Sequence, residues 1–172
     1  AIGVVTLWSK VDYVIERFRQ AGIDLDPATS PIAVFGTLYG NGLREMLRNL
    51  LYNPQIDRLL ICGHDRSGSR AELTNFFALG LESVVSAEGL IACIVSYRSP
   101  EPGLIVAPAR IRQTRRIMDD LVRRDQFRRP PQLVWLSDPK DEATLARIKE
   151  FFAYYRPRSI PPVDRLEVPL PE

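Results

Sequence analysis

Gly42-Leu43-Arg44-Glu45-Met46-Leu47-Arg48-Asn49-Leu50-Leu51-Tyr52-Asn53-Pro54, followed closely by Arg58-Leu59-Leu60-Ile61-Cys62-Gly63, is the stretch that decides the fold. Leu43, Met46, Leu47, Leu50 and Leu51 recur at the spacing of one helix face, with Arg44, Glu45, Arg48 and Asn49 on the other. That pattern predicts an amphipathic helix over residues 42–52 lying on a core. Asn53-Pro54 stops it, because proline disfavours helical geometry in the residue before it. The apolar run over residues 58–62 then reads as a buried strand. A helix delivered by a short connection into such a strand is half of a βαβ unit.

The same alternation extends outward in both directions. Strand-like runs at 2–7, 32–35, 58–62, 90–95 and 132–136 each precede an amphipathic stretch, at 10–20, 42–52, 70–79, 109–124 and 142–154. The expectation is an α/β fold: a single domain over residues 1–155, built on a mostly parallel or mixed sheet of about five strands with flanking helices. Loops are marked by Asp26-Pro27, by Ser30-Pro31, by residues 99–103 and by residues 128–131. Residues 156–172, rich in proline and arginine, read as an extended C-terminal tail. No internal repeat or low-complexity segment interrupts the pattern.

Bulk properties narrow the function classes. The chain has 172 residues, 45% of them hydrophobic, enough for a real core without crosslinks. A net charge of +2 does not mark a nucleic-acid binder. Cys62 and Cys93 sit in or at the end of apolar runs and read as small core residues of a reducing compartment, not as a disulfide or a zinc site. The single histidine, His64, rules out a multi-histidine metal centre, so no metal is expected. No apolar run is long enough to span a bilayer and no signal pattern opens the chain, so a cytoplasmic protein is expected. Ala1 enters an apolar strand at once, which predicts that upstream sequence has been removed.

Ligands of open α/β sheets collect beyond the carboxyl ends of the strands, where loops meet helix N-termini. Chemistry is therefore expected in the turn, helix, strand and loop over residues 39–70. The loop Gly63-His64-Asp65-Arg66-Ser67-Gly68-Ser69 is polar, glycine-bearing and followed by a helix, which suits an anion, although the same composition also makes a good helix cap. His64 beside Asp65 could act in proton transfer, and equally could be a strand-end histidine bonded to backbone. Arg66 and Arg70 could pair with phosphate or stay solvated. Arg98 and Ser99 follow the strand at 90–95 and would emerge at the same sheet edge. The arginine-rich stretch at 110–129 is broken by Asp119, Asp120 and Asp125, which favours a salt-bridged solvent face over a nucleic-acid stripe.

With these residues in view, the chain resembles thymidylate synthases and the related pyrimidine hydroxymethylases. Tyr39-Gly40 with Arg44 is similar to that family's Tyr-Gly-x-x-x-Arg. Asn53-Pro54 with Arg58 resembles its Asp-Pro-x-Ser-Arg-Arg. Glu88-Gly89-Leu90 with Cys93, then Arg98-Ser99-x-Glu101, resemble its Asp-Gly-x-Leu-x-Cys and Arg-Ser-x-Asp. The landmarks keep the family's order over residues 33–107, with a looser echo over 135–168. The resemblance implies that Arg98, Ser99 and Arg58 hold a nucleotide phosphate, that Tyr39 lines the active site, and that the protein is a homodimer. It further implies a transferase acting on a pyrimidine monophosphate with a reduced folate or tetrahydropterin.

The first half also resembles the corrinoid-carrying subunit of tetrahydromethanopterin S-methyltransferase and related pterin-linked domains. Val4-Val5-Thr6-Leu7, Gly42-Leu43, Asn49-Leu50, Asn53-Pro54-x-Ile56 and Leu60-Ile61-Cys62-Gly63 carry this likeness, with Gly68 and Gly80 in step. It implies a pterin, or less readily a cobamide, over the loop at 63–68. One-carbon transfer is where the two resemblances meet, with Tyr39, His64 and Asp65 as catalytic candidates and Arg58, Arg66, Ser67, Gly68, Ser69, Arg98 and Ser99 as phosphate or substrate contacts. A non-catalytic domain whose arginine-rich segment meets an acidic partner is the alternative from a different class.

Overall fold

The computed structural model describes residues 1–84, 107–159, 161–162 and 164–168. In chain order the elements are β1 (Ile2–Val5), α1 (Val11–Gln20), β2 (Ile32–Gly36), α2 (Leu43–Tyr52), β3 (Arg58–Ile61) and α3 (Ser69–Leu79). They continue with β4 (Leu81–Ser83), β5 (Pro108–Ile111), β6 (Ile117–Asp119), a 3-10 turn (Arg124–Gln126), β7 (Gln132–Trp135) and α4 (Glu142–Tyr154). The α/β class is as expected, but the strands divide between two sheets. The internal contacts also divide between two compact units, Ala1–Tyr39 with Pro54–Ser67 and Arg129–Asp164, and Gly40–Asn53 with Gly68–Arg128 and Arg165–Glu172.

The first unit holds a four-stranded, wholly parallel sheet in the order β2-β1-β3-β7. Its register sets Leu60 between Val4 and Val134, so one face carries Ile2, Val4, Leu60 and Cys62 as a continuous apolar layer. Val14 and Phe18, one helical turn apart on α1, and Leu145 and Ile148 on α4 close over that layer. The Phe18 ring meets Phe35 and Phe152 edge-on at 5.5 and 6.0 Å. α1 stops where Gly22 takes φ 75°, letting the N–H groups of Gly22 and Ile23 bond back to the carbonyls of Arg19 and Phe18. Ile23 then folds back onto the same core.

The second unit pairs α2 and α3 with an antiparallel sheet, β4-β5-β6. On α2, Leu43, Leu47, Leu50 and Leu51 are buried, as the leucine stripe predicts, while Met46 is only half-buried. Asn53 ends the helix by returning both its backbone N–H and its side-chain amide to the Asn49 carbonyl. The tail is irregular where described. In it Arg165 lies over the Tyr52 ring, the Leu166 N–H bonds the Leu51 carbonyl, and Val168 is buried.

One expected element is corrected. Residues 109–124 do not form a helix but the β5–β6 hairpin and the chain leading into the 3-10 turn. Ala109 and Ile111 alternate inward on β5, and Gln113 takes the left-handed conformation, φ 58°, at the hairpin turn. The expected strand at 90–95, with Cys93, lies outside the described residues. Among the described residues no helix is long and apolar enough to cross a membrane.

Candidate functional site

All strands of the parallel sheet end at one edge, so the segments after β1, β2 and β3 meet there. The segment after β1 turns back sharply. Leu7 sits at φ 53°, the Ser9 N–H bonds the Thr6 carbonyl at 2.9 Å, and the buried Thr6 hydroxyl donates to the Ser9 carbonyl at 2.9 Å. The segment after β3 is tied to this knot. The Trp8 N–H donates to the His64 carbonyl at 3.1 Å, and the His64 N–H donates to Ser9 Oγ at 3.1 Å. Gly63 makes the approach possible, since a Cβ there would stand 2.1 Å from the Thr6 carbonyl oxygen.

This bracing presents an aromatic pair. The rings of Trp8 and Tyr39 lie 4.8 Å apart at 33°, and the Trp8 indole N–H donates to Ser67 Oγ at 3.0 Å. Trp8 is 43% and Tyr39 47% exposed, so large ring surfaces face solvent although both are held by neighbours. An ordered aromatic surface beside a hydroxyl at a strand edge can receive a flat heterocycle.

Of the expected site residues, Tyr39, His64 and Ser67 therefore stand together, with Asp65 half-buried and Arg66 exposed in the same loop. Gly68, at φ 76°, is the N-cap residue of α3, and Ser69 is buried in its first turn; both belong to the second unit. Arg58 is not part of the edge. It begins β3, at the opposite end from His64, and pairs with Asp57 at 3.0 Å. Arg98 and Ser99 lie outside the described residues. Sequence reasoning misses Thr6, Trp8 and Ser9, because the apolar run ahead of Trp8-Ser9 reads as strand as far as Leu7. The rule that ligands collect at carboxyl strand ends, applied to β1, is the signal that finds them.

Two further groups bear on chemistry. Cys62 is fully buried, and burial, reinforced by the Asp138 charge, pushes its thiol up to about 12. Such a thiol is a core residue and not a nucleophile at neutral pH. In the second unit, Arg44 reaches Glu45 at 2.9 Å and the fully buried Asp119 at 3.4 Å, while Arg116 reaches Glu72 and Asn41 at 3.0 and 2.9 Å. The cleft beside these groups measures about 10 Å³, room for no more than one water.

Comparison of the chain with models of known protein families, with curated proteins and with solved structures gives no match.

Proposed function

We propose that the chain binds a pyrimidine nucleoside monophosphate at the carboxyl edge of its parallel sheet, as a thymidylate-synthase-like protein of one-carbon metabolism. The observation that carries the binding reading is the Trp8–Tyr39 pair, exposed yet anchored through the indole bond to Ser67. Two rings held side by side with their faces open to solvent offer a flat ligand a stacking surface that is already ordered. The base would lie against these rings, Ser67 would offer its hydroxyl to the ligand, and Tyr39, His64 or Asp65 would move the proton.

The narrower substrate class rests on the ordered likeness to thymidylate synthases, and so does the homodimer. A reduced folate or tetrahydropterin would supply the one-carbon unit, and the exposed rings suit such a heterocycle as well as they suit a base. A cysteine nucleophile of the ordinary kind finds no support: Leu73-Thr74 stand where that family has Pro-Cys-His, and Cys62 is sealed in the core. Among the described residues no thiol is placed for covalent capture, so the reading rests on nucleotide binding with proton transfer.

Calorimetry with dUMP and dCMP tests the reading, with folates and aquocobalamin in a parallel thermal-shift screen. A ligand that binds only the folded state raises stability by RT ln(1 + [L]/Kd), so binding registers in both. Heat and a melting shift with a pyrimidine monophosphate are expected. No signal with any of them overturns the proposal, and a shift with aquocobalamin alone replaces it with a corrinoid-binding role.

A further inference from the structure

A groove of about 600 Å³ opens in the first unit between α4, the segment after it and β7. Its apolar lining comes from Val134, Leu136 and Phe151, and its basic lining from Arg58, Arg147, Arg156 and Arg158. Among the described residues Glu150 is the one acid in the lining, and Asp57 pairs with Arg58. Four arginines thus line the groove against one glutamate. Arg147 and Arg158 are ion-paired to no carboxylate among the described residues.

Parts of this lining are fixed in advance. The half-buried Tyr155 donates its hydroxyl to Asp57 at 3.3 Å, and Asp57 in turn holds Arg58 at 3.0 Å. Arg156 caps α4 by donating to the carbonyls of Ala153 and Tyr155 at 2.9 and 2.8 Å. Arg58 and Arg158 both come near enough to the Tyr155 hydroxyl for their charges to act on its ionisation. Tyr154, 78% exposed, adds an aromatic face at the rim.

We propose that this groove is a second ligand site, separate from the Trp8–Tyr39 edge, for a nucleoside monophosphate or a similar phosphorylated ring compound. Arg58, Arg147 and Arg158 receive the phosphate and Tyr154 receives the ring. Guanidinium forks match phosphate oxygens two at a time, and a dianion needs more than one cation to offset its desolvation. The volume is that of a site for one small molecule. A nucleic-acid strand would need a basic track continuing beyond it.

The test is calorimetry of the full chain carrying Trp8→Ala, which disables the edge, so that failure of the edge reading leaves this result interpretable. AMP is expected to bind at one site per chain, inorganic phosphate roughly tenfold more weakly for want of a stacked ring, and adenosine without detectable heat. The exposed pair Arg147→Gln and Arg158→Gln, checked for unchanged melting, is expected to raise the AMP Kd by roughly 30-fold or more, the loss of two charge-assisted contacts. The site is overturned if AMP gives no heat or if the double variant binds AMP as before. Phosphate equal to AMP removes the ring from the assignment, adenosine equal to AMP removes the phosphate, and a deoxythymidine decamer binding far more tightly than AMP replaces the small molecule with a strand.

Discussion

At Gly63 a Cβ would meet the Thr6 backbone oxygen at 2.1 Å, and φ of 146° lies where L side chains rarely go. Gly68 shares only the second constraint: φ is 76° and nothing lies within 4 Å of its missing Cβ. The two positions separate steric from backbone cost. Gly68→Ala is expected to lose about 1 kcal/mol, the ordinary penalty of a left-handed backbone, and Gly63→Ala at least about 2 kcal/mol, both read by urea unfolding. Equal losses would mean that the approach of the β3 loop to Thr6 is not tight. Next to Gly63, the Cys62 thiol is pushed up to about 12 from an ordinary value of 9.0, mainly by burial. The folded chain therefore keeps a proton that the unfolded chain releases. Stability is present in full below about pH 9 and is lost as pH rises toward 12. Tyr155 is raised too, by burial first and then by Asp57, and adds a loss of the same sign that starts near pH 10. Unfolding midpoints between pH 9 and 10 should decline in the wild type and decline less in Cys62→Ala; identical slopes would contradict the assignment.

Among the elements, α2 and the β5–β6 hairpin are joined by charge. Asp119, fully buried on β6, faces Arg44 of α2 and accepts the Leu121 N–H at 3.0 Å. Taking away Asp119 leaves the Arg44 guanidinium with Glu45 as its nearby carboxylate and strips the Leu121 N–H of its acceptor. Asp119→Ala is expected to destabilise by about 1–3 kcal/mol in chemical denaturation, and a loss under about 0.5 kcal/mol would show the pair to be incidental. The α2 helix was legible in the sequence because a leucine stripe and Asn53-Pro54 state its face and its end. β1 and β3 were legible because buried strands read as unbroken apolar runs, and the edge strands β2 and β7, only partly buried, because their runs are apolar as well. The hairpin was not legible: its turn carries Gln113 where glycine or asparagine would announce a left-handed residue, and its arginines imitate the polar face of a helix. Of the candidate site, the loop after β3 was legible from its glycines and polar side chains. Trp8 was not, because Leu7 turns the chain at φ 53° without glycine and so hides the end of β1.

Across the whole molecule, the parallel sheet separates two kinds of surface. Its carboxyl edge carries the anchored rings of Trp8 and Tyr39 with His64 and Ser67, whereas Arg58, at the amino end of β3, belongs to the basic groove beside α4. Of the residues expected to contact phosphate, Arg66 and Ser67 stay in the loop at the carboxyl edge, whereas Arg58 falls at the other end of β3. The central claim is that a pyrimidine monophosphate binds at the carboxyl edge, and the most direct test is calorimetric titration of dUMP into the wild type and into Trp8→Ala. Saturable binding by the wild type, weakened in the variant by about 1–3 kcal/mol as expected for a base stacked on an aromatic ring, is the predicted result. Wild-type and Trp8→Ala proteins that bind dUMP equally well, or not at all, would contradict it.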